Sequence, residues 1–255
     1  MYQNNVLCDL FIGKGAGRKM VSEIQEAEHS VRIISPYLSA SLVYKLIELH
    51  RAGVDVQLVT TDAIMENSER YANTYKQLIS EEKVYDTKAK NLRFILSIFT
   101  KIIWASFAIS ILLLYLFKDE KDFLYYIIAM MSLLCLAVFL QIKLSKFKTF
   151  SYNYDTLFPI KFLIAPENAS FPIKTFIHSK VYIIDEKIMY LGSMNFTAAG
   201  TSENYETRIR TQDIEAIEKM INEFDTLFGS TKLPERKLSV WGHQIYHPKA
   251  SEEDN

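Results

Sequence analysis

Two long stretches without a charged side chain decide what this chain can fold into. Residues 123–142 are 20 in a row with no charge, about the length of helix that crosses the hydrocarbon core of a bilayer. Residues 102–117 give 16 more, and continuing back past Lys101 to Phe94 gives 24, with Lys101 near enough to an end to snorkel. Between them lie Lys118, Asp119, Glu120, Lys121 and Asp122, a short charged turn, so the pair reads as a helical hairpin whose outer ends emerge on one side. Lys88, Lys90, Arg93 and Lys101 precede it, and Lys143, Lys146 and Lys148 follow it. By the positive-inside rule both flanks, the rest of the protein and both termini are expected in the cytoplasm. No basic start with a long apolar run opens the chain, so a cleaved secretory signal is not expected.

Outside the hairpin the pattern is that of an α/β domain. Residues 6–12 are short and apolar, a glycine-rich turn and a helical pattern follow to about Glu28, and residues 31–35 read as a strand ending at Pro36. Leu42, Leu46 and Leu49 have helical spacing, Gly53 is a natural stop, and residues 54–60 are the next strand. Residues 64–92 are charged and compatible with a helix running into the first membrane segment. Further strands are expected at 160–164, 177–184, 188–191 and 205–210, then a helix from Asp213 to about Phe228. The expected organisation is one α/β domain with a mixed, largely parallel sheet, interrupted by the hairpin: residues 1–92, the hairpin at 93–145, the second part of the domain at 146–235, and a loosely held polar tail at 236–255.

One segment carries a dense pattern of chemistry: His178-x-Lys180, four residues, Asp185, six residues, then Gly192-Ser193-x-Asn195. This spacing resembles the signature of the phospholipase D superfamily without gap or substitution. The flanking Phe196 and Thr197, the later Asn204 and Glu206, and residues 31–39 leading into 51–57 are similar to that family too. The resemblance covers roughly residues 6–62 and 160–228 and leaves the hairpin unexplained.

The residues make physical sense in their own right. On a strand, His178 and Lys180 would project from one face about 6.6 Å apart, so an imidazole and an ammonium could converge on one phosphate. Gly192 would let the backbone approach, while the Ser193 hydroxyl and Asn195 amide could donate to phosphate oxygens. Asp185 stands at an odd offset from His178, which on an unbroken strand points it to the opposite face and toward a supporting role.

The resemblance implies a phosphodiesterase in which one histidine attacks phosphorus to form a phosphohistidine while another protonates the leaving oxygen. By the same resemblance Glu206 is expected to fix the His178 tautomer. No metal or other cofactor is required if two lysines and several donors neutralise the developing charge. The mechanism needs two motifs. His247-x-Lys249 and Asp254 repeat the spacing, but Pro248 opposes a central strand and no Gly-Ser-x-Asn follows. With one complete motif, a homodimer with two His178 side chains meeting at a two-fold axis is expected.

Other signals are weaker. Gly13, Gly15 and Gly17 look like a phosphate loop but have the spacing of a strand-to-helix turn. His243 and His247 are four apart, with no third ligand nearby to make a metal site. Tyr152, Tyr154, Phe158 and Phe162 fit either a lipid interface or the core. Two cysteines, Cys8 and Cys135, support neither a disulfide framework nor a cysteine zinc site. With 29 basic and 30 acidic residues the formal charge is -1, so bulk charge does not mark a polyanion binder, although residues 143–187 hold seven lysines against four acids. The hairpin and the near-neutral charge favour phospholipid as substrate and the bilayer as partner. A tethered nuclease cutting single-stranded nucleic acid and a non-catalytic membrane scaffold are the alternatives.

Overall fold

In the computed structural model, which describes residues 2–62, 69–116, 123–170 and 176–247, seven strands form one sheet. These are β1 (Cys8–Lys14), β2 (Ser30–Ile34), β3 (Asp55–Thr61), β6 (Ile160–Leu163), β7 (Val181–Ile184), β8 (Ile188–Gly192) and β9 (Tyr205–Thr211). Their order is β1-β9-β8-β7-β2-β3-β6. The expected mixed sheet flanked by helices is present. Its parallel part is confined to β2, β3 and β6, and the other four pairings are antiparallel; β7 and β8 are joined by a tight turn that can only reverse direction.

Period-two alternation splits the apolar side chains between two faces. Val31, Ile33, Tyr182, Ile184 and Tyr190 join the larger core, with buried residues of α1 (Arg18–Gln25), α2 (Ala40–Arg51), α3 (Glu69–Leu78) and α7 (Leu238–Tyr246). Ile34, Val59, Val181, Ile183 and Met189 join the smaller one, closed by Ala216, Ile217 and Phe224 of α6 (Ile214–Gly229). That helix starts where the sequence indicates, with the Asp213 carboxylate accepting from Ala216 N at 2.9 Å.

The chain divides into two units. The first is Met1–Glu81 with Tyr154–Asn255, and the second is Glu82–Asn153. In the second, α4 (Thr87–Leu116) and α5 (Phe123–Lys146) pack along each other, with the small side chains of Thr100 and Ala137 buried between them. Both are long and apolar enough to cross a membrane. The charged turn expected at 118–122 lies outside the described residues.

Two expectations change. Residues 64–92 do not run as one helix: α3 ends at Leu78, and β4 (Ile79–Tyr85) pairs with β5 (Phe150–Thr156) as a two-stranded ribbon at the base of the hairpin. Nor is the segment from 236 onward a loose tail as far as residue 247. Trp241 of α7 is only 4% exposed, its ring centroid 4.8 Å from Phe162 and 5.1 Å from Tyr75. The Arg236 guanidinium donates to the buried Asp62 carboxylate. The anchoring residues, Arg236, Trp241 and Ile245, share residues 236–255 with a polar, acidic end, so average composition hid them. Phe158 and Phe162 are core residues, whereas Tyr152 lies on the ribbon, its ring centroid 5.4 Å from that of Phe150.

Asp185 holds the end of the sheet remote from the signature's other residues. It has a φ of 51°, and its carboxylate accepts from Glu28 N, His29 N and Ser30 N at 2.7–3.0 Å. Burial pushes its pKa up, but these three amides outweigh that and hold it below the ordinary aspartate value. It therefore ties the β7–β8 turn to the start of β2 and is not part of the reacting group in which the signature grouped it. Asp185→Ala should cost about 2 kcal/mol, and Asp185→Asn less than half of that, since asparagine tolerates positive φ and keeps one acceptor. Thermal unfolding in detergent checks this. The carboxylate's contribution should be complete above the unfolded value of about 3.9 and lost as pH falls from there through the lower native value.

Candidate active site

Sheet register brings the rest of the signature to one edge. Val181 pairs with Ile34 on one side and Leu191 on the other, Gly192 with Arg208, and Gly13 with Glu206. The start of β7, the end of β8 and the start of β9 therefore lie side by side. The turn of Gly13, Gly15 and Gly17 is the strand-to-helix connection its spacing implies. A Cβ on Gly17 would come within 2.6 Å of Thr201 Cα, so this glycine serves close packing.

His178 and Lys180 lie before β7 rather than in it, so the shared-face argument does not apply. Their environments differ. The His178 side chain is exposed, with the Phe176 ring 5.5 Å away centroid to centroid. Lys180 is 6% exposed, and its ammonium donates to the carbonyl oxygen of His178 at 2.7 Å. Burial lowers the Lys180 pKa, and the Glu206 carboxylate pulls it partly back up. The lysine thus fixes the backbone that carries the imidazole.

The end of β8 is fitted closely to β9. A Cβ on Gly192 would stand 2.1 Å from Thr207 O, so no other residue fits this approach. Ser193 N donates to Thr207 O at 3.1 Å, and Thr207 N donates to Ser193 Oγ at 3.0 Å. The Ser193 hydroxyl in turn donates to Glu206, which also accepts from Asn204 Nδ2 at 3.3 Å. Two expectations are altered. The hydroxyl proton assigned to a phosphate oxygen is committed to Glu206, and Glu206 meets Ser193 and the field of Lys180 rather than the His178 ring, to which it makes no hydrogen bond among the described residues.

Beyond Ser193 the chain is extended, with Met194 and Phe196 buried and Ser193 and Asn195 on the other face. Two residues that the sequence reading missed hold it there. Tyr182 Oη donates to Met194 O at 2.7 Å, and the buried Ser35 Oγ accepts from Phe196 N at 2.9 Å. Ser35 stood within the family-like stretch 31–39, but with no role attached to it. Asn195 Oδ1 is buried with no hydrogen-bond partner among the described residues. The supposed second motif is engaged elsewhere: His247 Nε2 bonds Glu81 at 2.7 Å just beyond α7, His243 Nδ1 lies 3.2 Å from Tyr154 Oη, and residues 248–254 lie outside the described residues.

An exposed imidazole, a buried ammonium, a carboxylate and a serine–asparagine pair converging from three strand ends form a site suited to a phosphodiester. The family model for the cardiolipin synthase, phospholipase D-like domain matches residues 20–103 and 142–228, on both sides of the hairpin. The chain belongs to this phospholipase D-like family. Among solved structures it is similar to NucT from Helicobacter pylori, at 16% identity and a TM-score of 0.49, covering 91% of this chain and 100% of that one. It is also similar to Nuc, a phospholipase D family member from Salmonella typhimurium, at 15% and 0.45, covering 91% and 99%. Phosphatidylserine synthase from Haemophilus influenzae matches at 11% and 0.43, over 93% of this chain and 42% of that one. No curated protein sequence matches the chain.

Tyr182→Phe should leave the buried Met194 carbonyl without its donor, costing about 1–3 kcal/mol. It should also lower phosphodiester turnover, because Asn195 loses its anchor while His178 is untouched. Melting temperature and kcat measured together check both.

Proposed function

We propose that this protein is a membrane-anchored phosphodiesterase of the phospholipase D type that acts on phospholipids as a homodimer. The observation that carries the reaction is the exposed His178 imidazole whose own carbonyl is gripped by the buried Lys180 ammonium, at a strand edge shared with Asn195. The lipid assignment is supported by two helices long and apolar enough to cross a bilayer, set inside the domain rather than before or after it. Lysines and an arginine at the outer ends of both helices support a cytoplasmic site.

In the proposed reaction an imidazole nitrogen of His178 attacks phosphorus, and the bond to the leaving alcohol breaks as that oxygen takes a proton from the His178 of the second copy. The second histidine, now neutral, removes a proton from water or an acceptor alcohol. The resulting oxygen displaces the phosphohistidine and frees His178. Lys180 contributes positive charge, the Asn195 amide orients the phosphate, and Ser193 acts through Glu206. A single complete motif supports dimerisation, and the exposed Leu10, Ile12 and Tyr205, beside the site's edge, offer apolar surface for it.

The purified full-length protein is to be offered phospholipid vesicles and single-stranded DNA or RNA in parallel, with EDTA present. Lipid turnover that falls at least about 10³-fold in His178→Asn, with the melting temperature unchanged, is the expected result. Cleavage of nucleic acid alone would make it a tethered nuclease, and no His178-dependent turnover of either would favour a scaffold. In equal mixtures of wild-type and His178→Asn chains, turnover should drop to about one quarter, the share of dimers with two histidines, whereas a monomeric enzyme would retain about half.

A further inference from the structure

At the end of the helix pair where α4 begins and α5 finishes, Lys90, Arg93, Phe94 and Ser97 line a cleft of about 420 Å³ with Leu144 and Thr149. Neither Lys90 nor Arg93 pairs with a carboxylate among the described residues. Lys90 Nζ lies 4.1 Å from the centre of the Tyr85 ring. Both Lys90 and Arg93 are exposed, and two neighbouring cations raise a local positive potential that attracts an anion. The Ser97 hydroxyl gives its proton to Phe94 O at 2.8 Å, so it is the two cations that an anion would meet.

The depth of the cleft says which anion. The charge-free run of α5 stops at Ile142, and Lys143 and Leu144 follow at once, so the cleft lies level with the end of the hydrocarbon-length segment. Residues 82–93 and 143–153 carry seven basic side chains against two acidic ones. Tyr85, Phe150 and Tyr152 cluster at the same end, with Lys83 Nζ 3.8 Å from the Phe150 ring centre. Aromatic rings and cations together are the signature of headgroup depth. One wall is apolar, Leu144 and the 66% exposed Phe94, continuous with the apolar flank of α4. A free phosphate has nothing to lay against that wall and the bases of a polynucleotide would stack on Phe94 alone, whereas a phospholipid has acyl chains for its whole length.

We infer that this cleft binds one anionic phospholipid, its phosphate between Lys90 and Arg93 and an acyl chain along Phe94 and Leu144. The site shares no residue with the His178 site, and it rests on the reading that the hairpin spans a membrane. That premise is tested alone by alkaline carbonate extraction: release of the protein from membranes would refute the spanning reading itself.

The lipid site is tested by native mass spectrometry of the full-length protein in neutral detergent, titrated with phosphatidylglycerol or with phosphatidylcholine of the same chains. Wild type should prefer the anionic lipid. Lys90→Gln with Arg93→Gln should weaken its retention about 30-fold, from about fivefold for each basic group at an anionic lipid surface. The charge-preserving pair Lys90→Arg and Arg93→Lys should restore most of it, and Lys146→Gln with Lys148→Gln, outside the cleft, should change it less than about threefold. Unchanged retention in the first double variant would overturn the site, as would equal loss in the last, which means only diffuse attraction. Displacement of the lipid by inorganic phosphate at comparable concentration would mark a free-anion site and overturn it too.

Discussion

A lysine ammonium withdrawn from water costs several kcal/mol unless its charge is answered, and the site is arranged around answering that of Lys180. The His178 carbonyl supplies one acceptor and the Glu206 carboxylate supplies the field. Glu206 can serve only if β9 lies close against the end of β8. That approach requires the bare Cα of Gly192 against Thr207 O, and it is pinned by Ser193 bonding Thr207 in both directions. Removing any of these would leave a buried cation short of a partner. The same interactions leave the imidazole facing outward, so structural demand and chemical readiness are met by one set of contacts.

The sequence was most informative where physics leaves few choices. The signature's spacing singled out segments that the sheet register brings side by side, but the odd-offset argument for Asp185 assumed an unbroken strand from His178, whereas β7 begins only at Val181 and it is the β7–β8 turn that carries Asp185 to the far end. The parallel β2–β3 step was readable from Leu42, Leu46, Leu49 and Gly53. What could not be read were choices among hydrogen-bond partners. Lys180 takes a backbone carbonyl two residues away, and Glu206 takes the Ser193 hydroxyl, because donors two or three ångströms apart in space leave no periodic trace in sequence. The helix α7 was hidden for a different reason: Leu238, Val240, Trp241, Ile245 and Tyr246 are averaged with the polar, acidic end of the chain when residues 236–255 are read as one segment.

The hairpin interrupts the family domain, although the match reaches into both of its helices. The family match stops at residue 103 and resumes at 142, so the segment it omits is the second half of α4, most of α5 and the residues that join them. The ribbon of β4 and β5 lets the chain depart and return at neighbouring points, with Leu157 N bonding Leu78 O at 3.0 Å at its base. Chain closure there allows a long excursion at little entropic cost to the domain left behind.

The parallel pairing of β3 with β6 sets the timetable of biogenesis. When the ribosome has delivered β1, β2 and β3, the first half of the sheet has neither β6 beside β3 nor β7 beside β2. Two strands with open edges must then wait while α3, β4, α4, α5 and β5 are made. Only afterwards do the last strands emerge. The nascent chain thus passes through an obligatory half-built state with sticky edges, and a chaperone or a nearby lipid surface that shields β2 and β3 during that interval would govern the yield of the mature protein.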